Sequence, residues 1–356
     1  MSASLGGWST CADVIKAFPD TLKDSTVIIT GPTSGIGVET SVQLAAVCGH
    51  LVLAARSADK AAAVIAECER RNGSSSGGGG GGGGRNVTHI PCDLSSLESV
   101  KEFVRLYRQA AEGLPPLRCL VLNAGLICFS HQESTEGFEQ TFAVSHLAHF
   151  LLATELLPEL QAAAPSRVVV VSSGSHFGPL ATSDMSVPSL RRYVVGPDRQ
   201  GWGVVKGMRA YGSAKLCNSV FAASFHRRYS NAGGGVSCCS LHPGTLMATS
   251  ITRESGVASF ALGRILSWFT KSMDQGSSTT LACCLREEGG GQTQTQAQTQ
   301  PQTQGQTQSQ AQTEGQIEGR FYSDCQRATC STRVTDVKSQ EALWVLSEEL
   351  CGPFRG

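Results

Sequence analysis

The stretch Thr30–Gly37, TGPTSGIG, is the part of the sequence that decides the fold. It comes directly after an apolar run, TVIIT, that predicts a buried β-strand, and it leads into a helical pattern from about Ile36 to Gly49. Glycines allow a tight turn in which backbone amides approach a phosphate, and the positive end of the following helix favours an anion. Placed between a strand and a helix, the stretch predicts a dinucleotide-binding turn. Its candidate binding residues are Gly31, Thr33, Ser34, Gly35, Ile36 and Gly37.

The rest of the chain continues this alternation of short apolar runs with helical patterns. After TVIIT, further strands are predicted at LVLAA, NVTHI, RCLVLNA, SRVVVVSS, GVSCCSLH and GRFYSD. The predicted helices include a long one from about Phe138 to Leu160 and a closing amphipathic one at SQEALWVLSEEL. Strands that alternate with helices are typical of a parallel sheet covered on both faces. The sequence therefore predicts an α/β fold, a Rossmann-type doubly wound parallel sheet of about seven strands.

Two segments differ from the rest in composition. Residues 72–85 are rich in glycine, and residues 287–316 are rich in glutamine and threonine. Neither segment supplies the large apolar side chains that a core needs, so we expect both to be disordered surface insertions. The remainder is expected to form a single domain over residues 25–356, after an N-terminal extension, 1–24, with a short helix.

Composition excludes several classes of function. The chain has 356 residues with 29 basic and 29 acidic side chains, and this balance argues against nucleic-acid binding, which needs a basic excess. It has no apolar run long enough for a transmembrane helix and no N-terminal secretory signal pattern. The 14 cysteines include no CxxC pair, which favours a reducing compartment. We expect an intracellular protein, with the cytoplasm favoured and an organelle left open, and no metal site.

The end of the second predicted strand bears on cofactor choice. Enzymes that prefer NAD usually carry an acidic residue there, which binds the ribose hydroxyls. This strand instead ends LAARS, in which Ala55 is followed by Arg56. Because an arginine pairs well with a phosphate, the sequence favours NADP(H) over NAD(H).

A tyrosine and a lysine four residues apart, Tyr211 and Lys215 in YGSAK, share one face of a predicted helix. Four other motifs accompany them in a fixed order: TGPTSGIG, LNAG (Leu122–Gly125), VVVSSGSH (Val169–His176) and HPG (His242–Gly244). Together they resemble the short-chain dehydrogenase/reductase family over nearly the whole chain. FAVSHLAHFLL and ALWVLSEEL are similar to its retinol-dehydrogenase branch, especially to dehydrogenase domains of the WW-domain-containing oxidoreductase type. We expect no WW module before the domain, because only about 25 residues lie before the first predicted strand.

The resemblance implies roles for particular residues. Tyr211 would be the general acid/base, and Lys215 would hold the nicotinamide ribose. The Lys215 ammonium and the oxidised nicotinamide together would lower the pKa of the tyrosine. A serine after the fifth strand would orient the substrate oxygen, with Ser173 in the family register and Ser172 as the alternative. The remaining implied cofactor contacts are Asp93 and Leu94 near the adenine, Asn123, Ala124 and Gly125 after the fourth strand, and Pro243 and Gly244 beside the nicotinamide. Asp93 also suits the cap of the helix that begins near Ser96.

One position departs from the family pattern. The related branch reads VNHLGHF where this chain reads VSHLAHF, so Ser145 takes the place of the family's catalytic asparagine. The asparagine carbonyl helps to hold a water that passes protons to the active-site lysine, and the shorter serine puts full activity in doubt. We interpret the neighbouring His146 and His149 as packing or helix-surface residues rather than as a proton relay.

Two readings of function follow. The first is an NADP(H)-dependent oxidoreductase that acts on a carbonyl or alcohol, with a lid formed by residues 177–208 and 248–270. Apolar residues in that lid suggest a hydrophobic small-molecule substrate such as a retinoid, a steroid or a lipid-like carbonyl. The second, motivated by Ser145, is a dinucleotide-binding regulator or scaffold of the same fold with little turnover. By resemblance, a homodimer that pairs through the helices of Ser145 and Tyr211 is one possible assembly, since the family also includes monomers and membrane-associated members.

Overall fold

The computed structural model describes residues 5–73, 86–178, 180–182, 184–196, 200–230, 235–244, 272–286 and 320–355. The glycine-rich tract from residue 74 onward and the Gln/Thr-rich tract lie outside these residues. The lid segment 248–270, with Ala248 and Thr249, also lies outside them.

The predicted strands form one sheet, whose order is β3-β2-β1-β4-β5-β6-β7-β8. The strands are β1 Thr26–Thr30, β2 His50–Ala55, β3 Val87–Pro91, β4 Leu117–Leu122, β5 Ser166–Val171, β6 Val236–His242, β7 Phe321–Ser323 and β8 Gln326–Arg327. The first seven pair in parallel. Every residue of β1 and β2 is buried, as expected for apolar strands in the middle of a sheet covered on both faces. The α/β doubly wound fold is confirmed, and the two-residue antiparallel strand β8 is an addition that the sequence did not predict.

Helices cover both faces of the sheet. They are α1 Cys11–Ala17, α2 Ile36–Val47, α3 Ala58–Asn72, α4 Leu97–Ala110, α5 Gln140–Phe142, α6 Ala148–Glu155, α7 Leu157–Ala162, α8 Val187–Val195, α9 Val204–Tyr229, α10 Met273–Leu285, α11 Thr332–Thr335 and α12 Val337–Cys351. Short 3₁₀ turns occupy Gly174–Phe177 and Gly352–Phe354, and a π-helical turn occupies Ala143–Leu147.

Each face of the sheet has its own hydrophobic core. One core joins the inner sides of α4, α6, α9 and α12, with Phe103, Phe150 and Phe225 among its fully buried side chains. The other joins α2, α3 and α10 and includes Leu44 and Leu281. Burial of large apolar side chains at about 25 cal/mol per Å² is the main force that holds such layers together.

The long helix predicted from Phe138 to Leu160 is interrupted. After α5, the chain winds through the π turn before α6 begins at Ala148, and a second break follows α6 at Leu156. Ser145 lies at the centre of the π turn. A π turn inside a helix frequently marks a functional site, because it shifts the facing of the side chains that follow. Apolar periodicity alone did not reveal this interruption.

The last long helix, α12, packs along α9. The indole of Trp344 contacts Phe221, Phe225 and Tyr229, with ring centres 6.0–6.5 Å apart. His146 Nε2 and Ser347 Oγ, 2.8 Å apart, join the π turn to the same helix. This face of the Tyr211 helix is therefore covered by the chain's own C-terminal helix.

The cysteines and the helices bear on the predicted cellular environment. All 14 cysteines are free thiols, and all but the half-buried Cys330 are buried. No helix in the described part of the chain is long and apolar enough to cross a membrane.

Candidate active site

A cavity of about 770 Å³ opens at the carboxyl ends of the strands. It lies where β1 is flanked by β2 and β4, so that the chain's connections run to opposite sides. Ligands of open α/β sheets bind at this kind of crossing point. Every cofactor-binding residue predicted from the sequence lines the cavity, and so do Tyr211, Lys215, Ser173 and Ser172.

The glycine turn has the geometry that its sequence predicts. Gly31 has a φ of +62°, in the left-handed region that favours glycine. A β-carbon on Gly37 would lie 2.1 Å from the Gly31 carbonyl oxygen, so any larger residue there would force the turn open. The first turn of α2 thus packs directly against the loop that leaves β1. The amino end of α2 points into the cavity, where an anion would be stabilised.

The end of β4 is tied to the same turn. The Asn123 side chain donates from Nδ2 to the carbonyl oxygens of Thr30, at 2.9 Å, and Gly31, at 3.1 Å. The Thr30 hydroxyl in turn accepts from the backbone amides of Asn123 and Ala124, at 3.0 and 3.1 Å. Asn123 therefore shapes the cavity wall by holding backbone.

Tyr211 and Lys215 both lie on α9 and face the cavity, as their four-residue spacing predicts. Lys215 is buried, and its ammonium donates to the Val171 carbonyl at 2.8 Å, at the end of β5. Because burial disfavours the charged form, the pKa of Lys215 falls to about 8. A lysine with this pKa changes its protonation near neutral pH.

The two candidate serines have different surroundings. Ser172 is buried, donates from Oγ to the Lys215 carbonyl at 2.7 Å and accepts from Ser219 Oγ at 2.9 Å. Ser173 instead donates from Oγ to Ser175 Oγ at 3.2 Å, and its hydroxyl lies close enough to Tyr211 to lower the pKa of the phenol. Only Ser173 has its hydroxyl beside the phenol, so the geometry favours it over Ser172 for orienting a substrate oxygen.

The pKa of Tyr211 differs from the expectation. Burial raises it above its ordinary value, and the hydrogen bond with Ser173 is the influence that lowers it. The lowered value that the family resemblance implies depends on the Lys215 ammonium together with an oxidised nicotinamide. In the protein by itself, desolvation outweighs the effects that would favour a phenolate, and the phenol keeps its proton at neutral pH.

Ser145 is fully buried in the π turn beside Lys215. A β-carbon built on Gly125 would lie 2.8 Å from Lys215 Nζ and 3.7 Å from Ser145 Oγ, which shows how closely the three residues approach. Within the described residues, the Ser145 hydroxyl has no hydrogen-bond partner. A buried hydroxyl without a protein partner commonly bonds to water.

Arg56 and Asp93 lie together at the far end of the cavity. Arg56 Nη1 is 4.0 Å from Asp93 Oδ2, and the arginine side chain is 77% exposed. An ion pair this long and exposed contributes little, so Arg56 remains available to an incoming anion. The Asp93 carboxylate accepts from the backbone amide and the hydroxyl of Ser95. The cap of α4 is Ser96, so the capping role considered for Asp93 is wrong.

The sequence analysis did not identify several residues that shape this site. The Val171 carbonyl binds Lys215, and Val144 lines the cavity from the π turn. His176 holds Ser173, because its Nδ1 donates to the Ser173 carbonyl at 2.6 Å while Nε2 accepts from Ser331 N at 3.4 Å. The position of Val171 at the end of a parallel strand was the available signal. The bond made by His176 depends on tertiary contacts that no local pattern predicts.

The fold and this site define a class, the dinucleotide-binding oxidoreductases. The family profile described as "short chain dehydrogenase" matches residues 25–184. The WW domain-containing oxidoreductase of Danio rerio is 35% identical over 341 residues, which are 92% of this chain and 69% of that protein. Retinol dehydrogenase 12 of Mus musculus is 31% identical over 326 residues, 92% of this chain and 86% of the relative. The chain belongs to the short-chain dehydrogenase/reductase family, whose members bind a nicotinamide dinucleotide.

Solved structures share the fold. An uncharacterised protein from Mycobacterium Paratuberculosis has a TM-score of 0.62 and 24% identity, with 97% of each chain covered. L-Sorbose reductase from Gluconobacter frateurii, in complex with NADPH and L-sorbose, has a TM-score of 0.54 and 17% identity. That match covers 75% of this chain and 92% of the reductase.

The residues present fit a nicotinamide dinucleotide. The cavity volume falls within the range of small-molecule sites, and one end carries the glycine turn with its helix terminus. The other end carries a tyrosine, a lysine and a serine. Among the described residues, no group of three or more His, Cys, Asp or Glu side chains is placed to hold a metal ion.

Proposed function

We propose that the protein is an NADP(H)-dependent oxidoreductase that interconverts a hydrophobic alcohol and its carbonyl compound. The observation that carries this proposal is the convergence of Tyr211, Lys215 and Ser173 on one wall of the dinucleotide cavity. The nicotinamide, when bound, supplies or accepts the hydride. The protein's part is to bind the substrate oxygen and to move its proton.

The proposed roles follow from the surroundings of each side chain. Ser173 donates a hydrogen bond that orients the substrate oxygen, and the neutral Tyr211 phenol delivers the proton when a carbonyl is reduced. Lys215, anchored on the Val171 carbonyl, binds the nicotinamide ribose and replenishes the proton. Positioned proton transfer of this kind is typically worth about 10²–10⁴-fold in rate.

The preference for NADP(H) rests on Arg56. Its exposed guanidinium stands at the end of β2, where a ribose 2′-phosphate would be bound. Lys60 also lines this end of the cavity and adds a second positive charge.

The choice of a hydrophobic substrate rests on two points. Leu126, Ile127 and Val144 line the cavity beside the catalytic group and offer apolar surface to a substrate. The second point is that relatives from mouse and human are named retinol dehydrogenase 12. We therefore propose a retinoid-like, steroid-like or lipid-like compound as the substrate.

We further propose how the chain is organised, where it is located and how it assembles. Residues 25–356 form one catalytic domain with two inserted tracts, because β3 and β7, which follow the tracts, join the same sheet. An intracellular, reducing location suits 14 free cysteines. A homodimer, if formed, would use a surface other than the α9 face that α12 covers.

A second function has one observation in its favour. Ser145 replaces the asparagine of the family's proton relay, which suits a dinucleotide-binding regulator with little turnover. One experiment separates the two proposals: retinoid, steroid and aliphatic aldehydes and ketones are assayed with NADPH and NADH, while dinucleotide binding is measured by fluorescence titration. Turnover of an apolar carbonyl with NADPH supports the oxidoreductase. Tight NADPH binding without turnover across the panel would support the regulator.

A further inference from the structure

His149 occupies a closed position behind the active site. It is 1% exposed and lies in the first turn of α6, directly after the π turn that holds Ser145. Its Nδ1 is 3.0 Å from the Ser145 carbonyl oxygen, and its Nε2 is 2.9 Å from the Thr30 hydroxyl. One imidazole therefore bridges the end of β1 and the π turn.

The donors and acceptors of this bridge can be assigned from its partners. A carbonyl oxygen only accepts, so the Nδ1 atom of His149 carries the hydrogen that it shares with Ser145. The Thr30 hydroxyl already accepts from the amides of Asn123 and Ala124. Its own hydrogen is then free to point at Nε2, since the alternative acceptor, the Val121 carbonyl, is farther away at 3.5 Å. The hydrogen bonds therefore form a chain. The two amides that follow β4 donate to the Thr30 hydroxyl, Thr30 donates to His149 Nε2, and His149 Nδ1 donates to the Ser145 carbonyl.

This arrangement keeps the imidazole neutral. Burial, with a smaller contribution from the nearby charge of Lys215, lowers the pKa of His149 to about 3. A histidine in this state holds its tautomer across the physiological pH range and does not titrate. It acts through position and carries no proton between groups.

We propose that His149 is a positioning residue that fixes the Ser145 carbonyl, and with it the π turn, against the dinucleotide-binding turn. The inference rests on the proposed oxidoreductase function. A π-helical turn has more residues per turn than an α-helix. A side-chain hydrogen bond to one of its carbonyls therefore favours one backbone conformation of the turn. Ser145 and Lys215 approach each other across Gly125, and a small displacement of the turn would alter that approach. A misplacement near 1 Å can cost about 10²-fold in rate.

Three variants of His149 separate the effect of its bond to Ser145 from the effect of its bond to Thr30. In His149→Asn the side-chain amide takes the place of Nδ1 and can still donate to Ser145. In His149→Gln the amide takes the place of Nε2, which preserves only the contact with Thr30, and His149→Leu removes both. The control is His146→Leu, which removes another buried histidine of the π turn whose bond goes to Ser347 on α12.

We expect His149→Asn to keep at least about a third of the native kcat, while His149→Gln and His149→Leu lose tenfold or more. The KM for NADPH stays within about twofold in all three variants, and His146→Leu keeps most of its kcat after correction for unfolded protein. Equal losses in the three variants that follow their loss of stability, or better retention by Gln than by Asn, would overturn the inference.

A second readout does not need turnover and separates this inference from the proposed function. ¹⁵N-detected NMR of histidine-labelled protein, assigned with His149→Asn, should show a neutral imidazole protonated at Nδ1 from pH 5 to 9. An Nε2-protonated ring, or titration within that range, contradicts the assigned chain. If the native protein turns over no substrate, the proposed function fails, while the NMR result still decides whether His149 holds the Ser145 carbonyl.

Discussion

The ammonium of Lys215 lies over the ring of Tyr211, 5.7 Å from its centre, while it donates to the Val171 carbonyl at the end of β5. Burial moves both groups toward their neutral forms, since it lowers the pKa of the lysine to about 8 and raises that of the tyrosine. A neutral phenol beside a cavity is set to donate a proton to a carbonyl oxygen.

Tyr211→Phe removes the proposed proton donor and leaves the ring in place. We expect turnover to fall by at least about 10²-fold, because the phenol alone delivers the proton in this mechanism. Dinucleotide affinity should change by less than about twofold, since the glycine turn and Lys215 hold it. The control is Tyr229→Phe, the same change at the other end of α9. A Tyr211→Phe protein that retains more than a few per cent of native kcat would remove Tyr211 from its role.

Replacing each of the two neighbouring serines by alanine distinguishes their roles. Ser173→Ala should lower kcat by about 10²-fold or more with little change in stability, because its hydroxyl is placed beside the Tyr211 phenol. Ser172→Ala should keep most of its kcat and lose about 1–2 kcal/mol of unfolding free energy, because it breaks bonds to Lys215 O and Ser219. Steady-state kinetics and urea unfolding of both proteins check this. If Ser172→Ala loses kcat and Ser173→Ala keeps it, Ser172 is the residue that orients the substrate.

The buried charge of Lys215 should cost stability at neutral pH. Its pKa falls from 10.5 to about 8 on folding, so the unfolded chain binds more protons between these values. Taken alone, Lys215 should therefore make native stability rise with pH across that interval, by up to about 3 kcal/mol, and its full cost applies below pH 8. The buried thiols and phenols, whose pKa values burial raises, act in the opposite direction above about pH 9, so the lysine contribution has to be read from a variant.

Lys215→Met removes this titration. After allowance for about 1 kcal/mol from the lost bond to Val171, the variant should be about 1–2 kcal/mol more stable than the native protein at pH 7. The advantage should disappear by pH 10.5, and turnover should be lost at every pH. Reversible urea unfolding at pH 7, 8.5 and 10.5 measures the difference. A difference in unfolding free energy between Lys215→Met and the native protein that does not change from pH 7 to 10.5 would show that Lys215 keeps an ordinary pKa.

Arg56→Ala tests the cofactor preference. Loss of a charge-assisted contact with a phosphate should weaken NADPH binding by about 1.5–3 kcal/mol, while NADH binding changes little. Arg105→Ala is the matched control, because that exposed arginine pairs with Glu102 on α4 and does not line the cavity. Dissociation constants for both dinucleotides, measured at one salt concentration, decide the point. Equal weakening of the two would show that Arg56 does not read the 2′-phosphate.

Much of this fold was accessible from the sequence because its signals are local. A parallel strand buried on both faces needs a continuous apolar run, and the phosphate turn needs glycines at fixed spacing, so TVIIT followed by TGPTSGIG predicted both. The pair Tyr211 and Lys215 was predicted from helical spacing together with the family resemblance.

The features that escaped prediction depend on contacts between distant segments. His149 was interpreted as a packing or surface residue, yet it bonds to Thr30, which lies 119 positions earlier in the chain. The π turn at Ser145 preserves the apolar pattern of a plain helix, so periodicity did not distinguish the two. The burial that raises the pKa of Tyr211 likewise arises from the assembled cavity wall, which single-residue chemistry does not reveal.

Ser145 gives the last prediction. If the proton relay through Lys215 is weakened by the missing asparagine, Ser145→Asn should raise turnover, most clearly below the pH optimum of the native protein. Asparagine would bring a side-chain carbonyl to a position where the serine hydroxyl has no partner among the described residues. Ser145→Ala is the matched control, and it should lower turnover further because the side chain at position 145 then offers no polar atom toward Lys215. Dinucleotide affinity should be unchanged in both, because Ser145 lies behind Gly125 and is fully buried. The measurement is a pH–rate profile of the three proteins with the best substrate of the panel. An asparagine variant that is no faster at any pH, with an alanine variant equal to the native protein, would show that position 145 takes no part in the relay.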